Sequence, residues 1–81
     1  MLVPLYGFLE GDTVGLVIMV HDHQTVAELA DVLQEAASIR VAPRKRVVVW
    51  AGKRRLDPRS TVAAAGLAAL DRVDVRAEVL P

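Results

Sequence analysis

The chain has no cysteine, and its 81 residues include only three aromatics, Tyr6, Phe8 and Trp50. Without cysteine there are no disulfides, no thiolate metal ligands and no thiol nucleophile, so neither a covalent nor a zinc–sulfur staple holds the fold. With only Trp50 close to the basic residues, the stacking platforms that nucleic-acid binders interleave with cations are missing. No apolar run is long enough to span a bilayer; the longest, Val14 to Val20, is broken by Gly15. The start, Met1 to Asp12, lacks the basic region of a secretory leader. The expectation is one complete cytoplasmic domain over residues 1–81, with no membrane partner and no room for a second core or a buried substrate channel.

Charge is balanced, ten Lys and Arg against ten Asp and Glu, but it is segregated. Residues 1–39 carry six acids and no base, whereas residues 40–59 carry eight bases against Asp57 alone. Such asymmetry suits either an acidic partner or a solvated basic edge facing the protein's own acidic helix. Nucleic acid is the least favoured partner, for want of aromatics.

Hydropathy patterning gives the elements. Val3 to Leu9 is an extended apolar run with Pro4 near its start, where a missing N–H is tolerable. Glu10-Gly11-Asp12 is turn chemistry, so a hairpin leads into a second strand, Thr13 to Val20. Val14, Leu16, Ile18 and Val20 form one face of that strand; Val17 and Met19 keep the other apolar as well. A strand apolar on both faces calls for cover on both. Thr25-Val26-Ala27-Glu28 is a capping box, and Val26, Leu29, Ala30, Leu33, Ala36 and Ala37 fall on one stripe of the helix it opens. That helix is expected to end near Ser38, with Arg40 suiting the negative end of its dipole. Arg46 to Ala51 is the densest β-branched run and predicts a central strand. Gly52-Lys53 turns into a brief pairing over 54–57 that Pro58 stops; Ser60 or Thr61 then caps one helical turn that Gly66 closes. Arg72 to Leu80 alternates, with Val73, Val75, Ala77 and Val79 one way and Asp74, Arg76 and Glu78 the other. One main helix and one short helical turn on a mixed four- to five-stranded sheet is the β-grasp arrangement, an α+β fold.

The stretch Arg46 to Leu67 (RVVVWAGKRRLDPRSTVAAAGL) resembles the middle of ubiquitin. Conjugated ubiquitin-like proteins need a flexible terminal Gly-Gly, whereas this sequence reads Glu78-Val79-Leu80-Pro81. By the same resemblance Val49 is expected at the apolar centre of the surface that ubiquitin receptors use, beside Asp74 and Arg76.

Nearly the whole chain resembles the small B (gamma) subunit family of toluene-4-monooxygenase-type hydroxylases, itself ubiquitin-like. The matching pieces are Pro4 with an aromatic-containing first strand, Glu10 and Asp12, Val26-Ala27-Glu28, Arg40-Val41-Ala42-Pro43-Arg44, Pro58-Arg59, Thr61-Val62 with Gly66-Leu67, and Val73-Asp74-Val75. The segment between Arg44 and Pro58 departs from the family by being shorter. The resemblance implies a non-catalytic chain that packs against larger alpha and beta subunits, the alpha subunit holding a carboxylate-bridged di-iron centre. The residues agree: such a centre needs inward-facing Glu and Glu-x-x-His motifs, and no Glu-x-x-His occurs here. A stand-alone ubiquitin-like adaptor, such as an accessory protein of type VII secretion, is the alternative.

Candidate sites are few. His21-x-His23 is the one metal-like pair, without a third ligand beyond Asp22. Ser38 and Ser60 sit in no nucleophile elbow, and the glycines form neither a phosphate loop nor a dinucleotide fingerprint. No catalytic, cofactor-binding or metal-binding residue is assigned. The expected partner interface comprises Arg40, Val41, Pro43, Arg44, Val47, Val49, Trp50 and Arg59, because arginines and buried aromatics anchor interfaces and Arg pairs carboxylates through two parallel hydrogen bonds.

Overall fold

The computed structural model describes residues 1–79. Five strands, β1 (Leu2–Leu9), β2 (Gly15–His21), β3 (Val47–Ala51), β4 (Arg54–Arg55) and β5 (Arg72–Ala77), form one sheet in the order β2-β1-β5-β3-β4. β1 and β5 run parallel, and every other neighbouring pair is antiparallel. One helix, α1 (Val26–Ala36), crosses one face, which completes the β-grasp order.

The capping box forms as read: Thr25 Oγ1 accepts from the Glu28 amide and Glu28 Oε1 accepts from the Thr25 amide, each at 3.1 Å. The buried stripe differs by one turn position. Val26, Leu29, Ala30, Leu33 and Ala37 are buried, but Ala36 is exposed and Gln34 is buried instead. Leu33 lies over Gly7 so closely that a Cβ there would come within 2.9 Å of Leu33 Cδ1. Glycine in β1 is what lets the helix settle onto the sheet.

The second helical turn is capped by Thr61 rather than Ser60: Thr61 Oγ1 accepts from the Ala64 amide at 3.0 Å. Gly66, at φ 76°, closes it, as the Leu67 amide reaches back to Val62 O and the Gly66 amide to Ala63 O. β5 stops at Ala77, Val79 is exposed, and Leu80 lies outside the described residues.

Two expectations are corrected by the sheet. Val49 is in the core at 4% exposure, not at the centre of an outer surface. It pairs with Val75, and both face the helix, so Val48 and Trp50 point outward. Val14, read as part of β2's buried face, lies before that strand and is exposed. The large fully buried side chains Leu5, Val20, Val26, Leu29, Leu33, Val62, Val73 and Val75 then close one core between the sheet and α1.

Candidate interaction surface

The face of the sheet away from α1 is built from alternate residues of every strand. Register places Val17 opposite Tyr6, Met19 opposite Pro4 and Gly15 opposite Phe8 across β1 and β2. Tyr6 then meets Arg72 and Phe8 meets Asp74 across β5, and Trp50 lies beside Asp74 from β3. The face has two halves. On β1 and β2 it is apolar and open: Leu2, Tyr6, Val17 and Met19 are 52%, 42%, 61% and 51% exposed. From Phe8 at the end of β1 across β5 to Trp50 of β3, it pairs cations with aromatic rings.

Short contacts hold those pairs. The Arg72 guanidinium sits 3.9 Å above the centre of the Phe8 ring and donates two hydrogen bonds to Asp74, at 3.2 and 3.1 Å. Tyr6 and Phe8 lie 4.8 Å apart, tilted, and Arg76 lies 5.8 Å from the Trp50 ring centre. The rings lean over Gly15, where a Cβ would fall 2.5 Å from the edge of Tyr6. A side chain at position 15 would push both aromatics off the sheet.

At one corner the segregated charges meet within the chain. Arg40 donates from Nε to Asp12 Oδ1 and from Nη2 to Asp12 Oδ2, both at 2.9 Å, and the Asp12 side chain is only 1% exposed beneath it. That charge-assisted bond holds the Asp12 carboxyl below its ordinary range, against the opposing effect of desolvation. Arg44 donates to Glu10 O at 2.9 Å, while Glu10 Oε1 accepts from the Ala77 amide at 3.1 Å. Gln34 locks the same loop from inside: its Oε1 accepts from the Arg44 amide at 2.7 Å and its Nε2 donates to Arg44 O at 3.1 Å. Arg40 therefore serves the hairpin rather than the end of the helix.

The eight residues expected at an interface do not share one surface. Trp50 is half-buried on the outer face, and Val49 is in the core. Arg40, Val41, Pro43 and Arg44 form the corner loop, with Val41 packed against the core and Pro43 exposed. Val47 is half-buried on the α1 side of β3, and Arg59 is exposed beyond β4. The exposed apolar residues that cluster best, Leu2, Tyr6, Val17 and Met19, were not among them. For Val17 and Met19 the signal was present in the sequence, as the second apolar face of the Thr13–Val20 run; for Leu2 and Tyr6 only the strand register supplies it.

The donor set does not fit a di-iron centre. Among the described residues no group of three or more His, Cys, Asp or Glu could hold a metal ion. His21 and His23 stack at 5.2 Å, and the Asp22 carboxylate accepts from the Met1 amino group at 3.1 Å. Among the described residues no helix is long and apolar enough to cross a membrane.

The family model described as toluene-4-monooxygenase system protein B matches residues 2–76. No curated protein matches the chain. Among solved structures the chain is similar to one from the toluene 4-monooxygenase HD complex with the inhibitor 4-bromobenzoate, at TM-score 0.88 and 22% identity over 96% of this chain and 100% of that one. It is also similar to Caldiarchaeum subterraneum ubiquitin, at TM-score 0.75 and 15% identity over 99% and 98% of the two chains. A third likeness is the UBL domain of Plasmodium falciparum Dsk2, at TM-score 0.78 and 13% identity over 96% and 100%. At these identities the structural likenesses show a shared ubiquitin-like fold.

Proposed function

The chain belongs to the toluene-4-monooxygenase system protein B family, and on that premise we propose that it is a non-catalytic small subunit of a multicomponent cytoplasmic monooxygenase that hydroxylates aromatic hydrocarbons. Larger alpha and beta hydroxylase subunits would be its partners, and the outer face of the sheet its docking surface. The observation that carries this reading is the open apolar half of that face, where four large side chains on two paired strands stand exposed together. Apolar surface grouped in this way marks a protein contact. The cation-and-aromatic half beside it supplies the Arg and aromatic side chains that anchor interfaces.

The chain's own residues contribute rigidity to such a contact. β1 and β2 are braced by the aromatic pair over Gly15, and the corner loop is pinned by Asp12, Glu10 and Gln34. A face held this way loses little side-chain freedom on docking, which favours assembly. The di-iron chemistry implied by the family would belong to the alpha subunit.

Co-expression with the hydroxylase subunits tests the proposal. The expected result is a heavy, iron-bearing complex that retains this chain through size exclusion. Recovery of the chain alone, with the larger subunits assembled without it, would instead fit a stand-alone adaptor.

A further inference from the structure

We propose that the groove between α1 and the free edge of β3 is a second docking site, taken by an extended segment of another protein that adds to β3 as a short strand and sets an acidic residue beside Lys45 and Arg46. This site lies on the helix side of the sheet and does not rest on the function proposed for the outer face.

The strand edge follows from the register. The Glu78 amide donates to Arg46 O at 3.1 Å, so Arg46 and Val48 aim their backbone groups at β5 while Val47 and Val49 aim theirs away from it. On that far side Val49 O is taken by the Leu56 amide at 2.9 Å. β4 ends at Arg55, and Pro58 cannot donate to a continuing ladder. The chain instead departs toward the start of α1, where the Ala27 amide donates to Pro58 O and the Val26 amide to Ser60 O. Among the described residues the N–H and C=O of Val47 are left without a backbone partner. An open strand edge of this kind is a template for pairing with another chain.

Beside that edge runs a groove of about 300 Å³, floored by Val26, Ala27 and Ala30 of α1, Val47 and Val49 of β3, and Leu56. Alternate apolar side chains of an added strand would enter it while the backbone satisfied Val47. Charge fixes the occupant's chemistry. Arg55 at the far rim already pairs with Glu78 at 3.6 Å, and Asp31 stands on the α1 rim; Lys45 and Arg46 form no ion pair among the described residues, so two free cations against one free acid leave the β3 rim net positive. A second copy of this chain suits the groove poorly. Its own long edge strand, Gly15 to His21, carries no acid, and the flanking Asp12 and Asp22 are engaged by Arg40 and the Met1 amino group.

The test is a titration of the ¹⁵N-labelled full-length chain with two synthetic octapeptides of alternating valine and threonine, one ending in two aspartates and the other in two lysines. The acidic peptide is expected to shift and protect the Val47 amide saturably, with Kd on the order of 1 mM or tighter. It should bind at least about tenfold more tightly than the lysine peptide, and the K45E/R46E chain should reverse that preference. Val47→Pro should abolish binding; if that variant does not fold, the charge-reversed chain still decides the matter. No saturable shift at Val47, equal binding of the two peptides, shifts confined to the Val17 and Met19 face, or a peptide-independent dimer formed through Val47 would each overturn the proposal.

Discussion

Replacing Val17 by lysine separates folding from docking. Val17 is 61% exposed in β2, an edge strand, opposite Tyr6. Lysine is common on edge strands, so the isolated domain should lose no more than about 0.5–1 kcal/mol, a Tm change of at most several degrees for a domain of this size. Docking should suffer more. Burying a whole valine side chain stabilises by roughly 1.5–3 kcal/mol, and the exposed share of Val17 leaves about 1–2 kcal/mol for the partner to gain. Lysine forfeits that gain, and its ammonium must also be kept wet or desolvated, so about 2 kcal/mol or more is lost, roughly a thirtyfold weaker Kd. The assay pairs a thermal melt of the free chain with its affinity for the alpha and beta subunits. Glu35→Lys, on the exposed side of α1, makes a larger change of charge on the opposite face and should leave affinity unchanged. Wild-type affinity for Val17→Lys would refute the assignment of the docking face.

Further perturbations probe what holds that face. Gln34→Ala removes both hydrogen bonds to the Arg44 backbone and should cost about 2 kcal/mol, seen as a Tm lower by on the order of 10 °C. The Asp12 carboxyl is held below its ordinary 3.8 by Arg40. Its contribution is therefore fully present above that value and lost as pH falls through the depressed one, so Asp12→Asn should be less stable than wild type at pH 7 and indistinguishable at the acid end of a denaturation series. Leu70 is held at φ 64°, where a branched residue is strained by about 1–2 kcal/mol. Leu70→Gly relieves that strain but adds freedom to the unfolded chain, so a net gain of about 0.5–1 kcal/mol is expected in chemical denaturation. Gly15→Val should displace Tyr6 and Phe8 and lower affinity for the larger subunits alongside stability.

Local signals in the sequence were legible where the physics is local. The Thr25–Glu28 capping box, the alternation of Val73 and Val75, and the Gly66 closure each depend on residues a few positions apart, and each forms as read. The β3 run of three valines carries no alternation, so nothing nearby says which of them faces the core; pairing with β5 decides it, and Val49 turns inward. Arg40 and Asp12 stand 28 positions apart, and only the folded hairpin brings them together. Gln34 was missed for the same reason, since its partner is the backbone of a loop ten residues on. The proposed docking face was half visible: Val17 and Met19 marked a strand wanting cover on both sides, but only the register set Tyr6 and Pro4 beside them.

Hydroxyl-radical footprinting of the assembled complex against the free chain tests docking through the outer face most directly, because Met19 and Tyr6 are reactive reporters standing on it. Both should become strongly protected when the larger subunits bind, while the exposed residues of α1 keep their free-chain rates. Unchanged oxidation of Met19 and Tyr6 in an assembled complex would contradict the account.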